Sequence, residues 1–262
     1  MALIAMAVYD TEENRRTAYT ERTFKSLLKT VDFTKHRLFV IDNNSCKETQ
    51  DLYLQFAELW VLNKLPFENL EIIKISENIG TAEAINKAWR QRRLGEHCIK
   101  IDNDVEIHYK GWVEEMEEAI QREPFLGQIG LKRKDCWEHP SHENSELKST
   151  LIMLPHVPGQ RWIGVEKVKH VMGTCVMHNY ALLDKVGYLC QPNLYGYDDV
   201  LMSWRSYLAG FFSAFLYHIP IDHIDSGDTP YQSWKERHAG QYSKMVSDRV
   251  DEYIAGKSLY HA

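Results

Sequence analysis

The stretch Ile99–His108, IKIDNDVEIH, is apolar and alternating to Ile101, breaks into Asp102-Asn103-Asp104, and then turns apolar again. A strand that ends on two carboxylates and an amide is either closing a turn or building a metal site. In extended chain, residues i and i+2 point the same way, roughly 6.5–7 Å apart. Asp102 and Asp104 therefore face one side, where they repel each other unless a cation stands near. Hard oxygen ligands suit Mg2+ or Mn2+, ions that keep open positions for phosphate oxygens. A nucleotide diphosphate fits such a site. A solvated acidic turn without metal fits the same residues, because Asp and Asn are ordinary turn formers.

The segments around this stretch narrow the choice. Strand patterns occur at Leu3–Tyr9, Arg37–Ile41, Leu70–Ile75 and His97–Ile101. Helical spacing lies between them: Phe24, Leu27, Leu28 and Val31, then Leu52, Phe56 and Leu59, then Ile79, Ala82, Ile85 and Trp89 ahead of Gly95. A further helix runs from Trp112 through Met116, Ala119 and Ile120 and stops before Pro124. Strand–helix alternation of this kind predicts an α/β fold with a mostly parallel sheet covered on both faces.

The second half reads differently. Residues 135 to 168 are rich in His, Pro, Ser and Glu and suggest loops around a hairpin, Leu151–Leu154 with Trp162–Val165. VKHVMGTCVMH reads as strand, glycine break, strand, and NYALLDKVG as a short helix closed by Gly187. A helix from Asp199 carries Val200, Trp204 and Leu208 at i, i+4 and i+8, and FFSAFLYHIP is a last strand. No linker is apparent, so the chain reads as one domain with a specialised second half.

Open α/β sheets bind ligands beyond the carboxyl ends of their strands. Three successive strand ends carry polar clusters: Asp42-Asn43-Asn44-Ser45, Ser76 to Thr81, and Asp102-Asn103-Asp104. Each alone is an ordinary turn; together on one edge they point to a site. The helix after NIGT would turn its free N–H groups toward the same edge, to receive phosphate or to steady the loop. In YGYDDV, Asp198 and Asp199 open a helix, where negative charge belongs for dipole reasons. Two carboxylates exceed the needs of a cap, and one could serve as a general base on a hydroxyl. IPIDHIDSGD puts Asp222, His223 and Asp225 after the last strand, and His223 could complete a metal shell. HPSH at residues 139–142 lacks the partners of a zinc site.

Composition excludes other classes. Among 262 residues, 44% are hydrophobic and 26% charged, with net charge −6. That is a globular balance and not the basic one of a general nucleic-acid or anionic-membrane binder. The five cysteines form no C-x-x-C, which suits a reducing, cytoplasmic compartment. The apolar start from Ala2 to Tyr9 lacks a basic leader and falls far short of the ~20 residues of a membrane helix.

In their order, VIDNNS, NIGTAEAINKAW, IKIDNDVEIHYKGWVEEM, MGTCVMHNYALLDKVGYL and YGYDDVLMSWRSYLAGF resemble a family-2 type glycosyltransferase with the GT-A fold, over roughly residues 1 to 225. The resemblance implies a metal-dependent, inverting transfer of a sugar from a nucleotide-diphosphate donor, UDP first among them, to a hydroxyl acceptor. It assigns Tyr9, Asp42, Asn78, Gly80, Asp102, Asn103 and Gly173 to the nucleotide-sugar. Asp104 and His223, with Asp102 shared between ribose and metal, would hold Mn2+ or Mg2+. Asp199 matches the catalytic base, and Asp198 its neighbour toward the acceptor. The resemblance makes residues 1–110 a nucleotide-binding half and 111–262 an acceptor-binding half of the single domain.

Asn103 departs from the acidic residue usual at that position, and Asp198-Asp199 from the usual Glu-Asp, which leaves open which of the two is the base. Residues 135–168 match nothing in the family, so the acceptor stays open between a carbohydrate and another hydroxyl compound. A hydroxylated DNA base, the acceptor of some phage enzymes, would need a basic groove. Lys132, Arg133, Lys134, Lys148, Arg161, Lys167 and Lys169 lie in or beside that segment. A nucleotidyltransferase would show a glycine-rich loop after the first strand, where VYDTEENRR has no glycine. A non-catalytic nucleotide or sugar binder on the same fold is the other alternative.

Overall fold

The structure, a computed structural model, describes residues 1–135, 149–225 and 242–262. Its frame is one mixed sheet. Strands β1 (Ala2–Val8), β2 (Arg37–Asp42), β3 (Leu70–Lys74) and β4 (His97–Ile101) are parallel in the spatial order β3-β2-β1-β4. The short β5 (Val105–Glu106) follows, then β6 (Leu126–Arg133), β7 (Thr150–Met153), β8 (Gly164–Val168), β9 (Cys175–His178) and β10 (Phe212–His223). β9 enters antiparallel between β4 and β6, β10 lies parallel to β6, and β8 and β7 finish the edge antiparallel.

Helices cover both faces. Along β1, Ala2, Ile4, Met6 and Val8 face one layer, and Leu3 and Ala5 the other, as strand alternation dictates. The first layer takes α1 (Thr17–Thr30), α2 (Lys47–Leu62) and α4 (Trp112–Arg122) through Phe24, Leu27, Phe56, Trp60, Trp112 and Met116. The Phe24 and Phe56 rings stack with centroids 4.2 Å apart. The second layer takes α3 (Thr81–Trp89), α5 (Tyr180–Val186) and α6 (Asp198–Leu208) through Ile85, Trp89, Leu182, Leu183 and Met202. A last helix, α7 (Ser243–Ile254), packs Val246, Val250 and Tyr253 against Leu201.

The structure corrects the periodicity in several places. The α3 helix begins at Thr81, not Ile79, and α6 one residue before Asp199. Leu59 and Trp204 are exposed; Trp60 and Arg205 fill the buried positions beside them. The final strand does not stop before Asp222 but runs to His223, because its end pairs with β5. β6 and α7 have no counterpart in the sequence patterns. Gly127 and Gly130 mask β6 as a strand, and both are required by close packing. A Cβ would stand 2.7 Å from Phe211 at the first and 2.5 Å from Val171 at the second. HPSH and Lys148 lie outside the described residues.

Candidate active site

The β5–β10 pairing builds the first half of the site. It sets His223 opposite Val105, and the Ile224 N–H donates to the Asp104 carbonyl at 2.8 Å. His223 Nε2 thereby stands 3.2 Å from Asp104 Oδ2. Arg16, at the entrance to α1, donates to the same oxygen at 2.6 Å and to Asp225 Oδ2 at 2.7 Å. Burial alone would raise the Asp104 carboxyl, but the His223 contact and the Arg16 charge outweigh it and hold the group well below the usual carboxylate range. Asp104 Oδ1 is buried and receives no hydrogen bond. Asp102, with its N–H on the Thr174 carbonyl at 2.9 Å, keeps a third of its side chain exposed. Loss of water pushes its carboxyl up to about 6; Lys100 opposes this, and Asp104 and Asp198 add to it.

No group of three or more His, Cys, Asp or Glu side chains stands ready to hold a metal among the described residues. The expected set of Asp102, Asp104 and His223 is therefore not preformed, because the imidazole and the Arg16 guanidinium already share Asp104 Oδ2. The residues still fit a divalent ion. Asp104 Oδ1 is a buried acceptor that receives no hydrogen bond among the described residues, and Asp102, a third of its side chain exposed, lies just past the end of β4. Substrate phosphate oxygens commonly supply the remaining positions.

Asn103, expected against the nucleotide-sugar, turns inward. Its amide donates to Asp10 Oδ1 at 2.8 Å and to Thr20 Oγ1 at 2.7 Å. Thr20 and Thr49 donate in turn to Asp10 Oδ2. Burial raises the Asp10 carboxyl to about 6 despite these donors. A carboxylate at position 103 would meet Asp10 directly, which accounts for the amide there.

The second and third strand ends form a braced loop. Asp42 is buried and accepts the Ser45 N–H at 2.8 Å and the Tyr53 hydroxyl at 3.4 Å. Asn43, read in the sequence only as a member of the strand-end cluster, donates to Asn78 Oδ1 at 2.8 Å and accepts the Ile79 N–H at 3.0 Å. Asn78 also accepts the Gly80 N–H. Gly80 has φ +87°, and a Cβ there would lie 2.9 Å from Leu194 Cα. The α3 N-terminus is not open to phosphate as the sequence suggested. The Thr81 N–H donates to the Leu194 carbonyl at 3.1 Å and the Ala82 N–H to Gln191 Oε1 at 2.9 Å. Tyr9, just past β1, is half-buried, and its carbonyl accepts from Asn14.

Lys100 joins this edge to α6. Its ammonium lies 2.7 Å from Asp198 Oδ2 and 3.8 Å from Asp102 Oδ1. Burial disfavours its charge, but Asp198, then Asp102 and Asp199, more than compensate. A charged residue inside a strand whose five residues are all buried was the available signal, and it went unread. Asp199 accepts the Gly173 N–H on Oδ2 at 3.0 Å and the Val200 N–H on Oδ1 at 2.8 Å. His170 Nε2 lies 3.3 Å from the same Oδ2. Burial works against the ionised form; His170, Lys100 and the Gly173 N–H overcome it and hold the carboxyl at about 2. A Cβ on Gly173 would stand 2.7 Å from Lys100 Nζ and 3.3 Å from Asp199 Cβ, so a side chain there would displace the ammonium.

The basic residues considered for a DNA groove are largely spoken for. Lys132 pairs with Glu166, Arg133 with Asp135, Lys134 with Asp222 and Arg161 with Glu115, while Lys167 stands over the Phe212 ring.

Among the solved structures that share this architecture are glycosyltransferases of the GT-A fold. A mannosyltransferase, PcManGT from Pyrobaculum calidifontis, in complex with GDP-Man and Mn2+, superposes with TM-score 0.66 at 14% identity, over 98% of this chain and 70% of that one. S. aureus TarS 1–349 gives 0.57 at 21% identity over 84% of this chain, which spans only 59% of that one. GalNAc-T7 with UDP, GalNAc and Mn2+ gives 0.61 at 13% identity, covering 86% and 44%. No curated protein sequence matches the chain. The Glycosyl transferase family 2 profile matches residues 5–187, more than half of the chain, and the protein belongs to that family.

Proposed function

We propose that this chain transfers a sugar from a nucleotide-diphosphate donor to a hydroxyl acceptor, with a divalent metal and with inversion. The observation that carries this reading is the Lys100 bridge. One buried ammonium spans from Asp102 on the β4 edge to Asp198 at the start of α6, so a donor carboxylate pair and an ionised base share one edge.

In this reading Asp102, Asp104 and His223 are the residues that would hold Mn2+ or Mg2+. A divalent ion held there supplies positive charge to the departing diphosphate. Asp199, ionised beside Lys100 and the Gly173 N–H, takes the acceptor proton as the oxygen attacks the anomeric carbon from the face opposite the leaving group. Asp198 keeps Lys100 in place rather than meeting the acceptor. UDP-GlcNAc and GDP-Man, the donors in complexes of TarS and PcManGT, support a UDP- or GDP-sugar. Residues 1–110 would form the donor half and 111–262 the acceptor half, for a carbohydrate or another hydroxyl compound. The free thiols of Cys46, Cys98, Cys175 and Cys190 support a cytoplasmic setting.

The test is nucleotide release from a panel of UDP- and GDP-sugars with Mn2+, repeated in EDTA. We expect one donor to turn over, EDTA to abolish turnover, and Asp199→Asn to lower the rate at least about 10³-fold while nucleotide binding persists. Donor binding without turnover in the wild-type chain would favour the non-catalytic binder instead.

A further inference from the structure

The loop between β8 and β9 carries a titratable group that the mechanism above uses only as a neighbour. His170 stands on this loop with its Nε2 3.3 Å from Asp199 Oδ2. The same loop delivers the Gly173 N–H to the same oxygen at 3.0 Å. The loop is itself anchored beneath α6, where the Val171 N–H reaches Ser203 Oγ. So one short segment touches the candidate base twice, once with a fixed backbone dipole and once with a group that changes charge near neutral pH. The imidazole is about 30% exposed and the carboxylate about 24%, so both sit at the mouth and not in the core.

We propose that His170 is a positioning residue for the Asp199 base, and that its protonation state sets the acid limit of transfer. The inference rests on Asp199 being the base. With a neutral imidazole, Asp199 is aimed by His170 and the Gly173 N–H and is free to take a proton from the acceptor. With an imidazolium, the two form an ion pair, the carboxylate loses basicity, and transfer slows. The charged groups around the pair are Lys100 from β4, Asp198 beside Asp199 on α6, and Asp102 at the end of β4. Lys100 is matched against Asp198 and Asp102. Asp102, pushed up to about 6, changes charge in the imidazole range as well; His170 is the one of the two that stands against Asp199 Oδ2, and the His170→Asn comparison below separates them. The low carboxyl pKa of Asp199, which His170 does most to bring about after burial is overcome, agrees with this.

Two measurements test it. The first does not need turnover: the His170 ring is titrated by NMR in the wild-type chain and in Asp199→Asn. We expect its pKa to fall by about one unit when the carboxylate is removed. An unchanged pKa overturns the pairing. The second is the pH profile of kcat for nucleotide release from the donor that turns over, with Mn2+ and water as acceptor, in wild type and His170→Asn. We expect the acid limb of the wild type to lie in the imidazole range near 6.5 and that of His170→Asn to move down toward the carboxylate range near 4. The neutral-pH kcat should fall several-fold with the donor KM unchanged. A limb at the same pH in both proteins, with Asp199→Asn inactive, overturns the role of His170 and leaves the base standing. Full turnover in Asp199→Asn overturns the base reading, and this proposal with it.

Discussion

Asn103 and Gly173 show how single positions carry the site. Asn103 lies in the centre of an acidic motif yet serves the core. Its amide satisfies Asp10 and Thr20, and the acids on either side face the edge. Replacing it by Asp would set two buried carboxyls against each other. We expect Asn103→Asp to cost about 2–3 kcal/mol at pH 7. The pair would hold a proton more tightly in the folded chain than in the unfolded one, so the loss grows as pH rises from 4 to 7 and shrinks in acid. Urea midpoints at pH 5 and pH 7.5 check this, and an equal loss at both would remove the like-charge explanation. Gly173 is governed by distance. A methyl group there would push Lys100 Nζ from its partner Asp198. Gly173→Ala should lower kcat about 10-fold or more with a smaller effect on nucleotide binding, read by steady-state kinetics beside calorimetry. A rate within twofold of wild type would show that Lys100 yields without consequence. Asn103 was legible as an oddity in the sequence, but its cause was not. Asp10 and Thr20 are 93 and 83 residues away, and only the packing of α1 against the β4 edge brings them together.

At the scale of elements, the parallel strands and their helices were readable because β1, β2 and β4 are buried on both faces, the edge strand β3 keeps apolar residues at Leu70, Ile72 and Ile73, and each helix has one apolar stripe. His97–Ile101 was bounded correctly from sequence, and three other strands to within a residue. The elements that went unread have physical reasons. β6 carries two glycines that close packing requires. In α6, which the sequence does show from Asp199, the buried face is partly polar, since Arg205 takes a core position there. The Arg205 side chain donates to the Leu259 and Tyr188 carbonyls at 2.7 Å each, and also to the Val186 carbonyl. One guanidinium thus ties α6 to the turn after α5 and to residues 257–262, which also pair with Gly187 through His261. We expect Arg205→Met to take the guanidinium donor from the Leu259 and Tyr188 carbonyls, while the Val186 carbonyl keeps the His261 N–H at 2.9 Å, and to cost about 2–4 kcal/mol. Proteolysis should then begin within residues 257–262. Arg205→Lys should restore little, because an ammonium cannot span the three carbonyls as a planar fork does. Wild-type stability in Arg205→Met would mean that water replaces the guanidinium.

Across the whole molecule, the sheet is a frame that turns distant sequence into one edge. Arg16, Asp104, His223 and Asp225 span more than 200 residues, yet they meet because β5 pairs with the end of β10 and α1 starts beneath them. The sequence showed which strand ends were polar. It did not show that Arg16 would stand on Asp104, that Lys100 would bridge to Asp198, or that Gln191 and Leu194 would close the start of α3. Those contacts depend on long-range pairing, which leaves no local pattern. The most direct test of the account is the position of the metal. Crystals soaked in UDP and MnCl2, with data collected at the manganese absorption edge, would locate it. We predict an anomalous peak on the order of 2 Å from Asp104 Oδ1, bridged to the diphosphate and flanked by Asp102, with the Asp199 carboxylate facing the open side. Nucleotide bound elsewhere, or bound at this edge with Arg16 and His223 still closing Asp104 and no manganese peak, would contradict it.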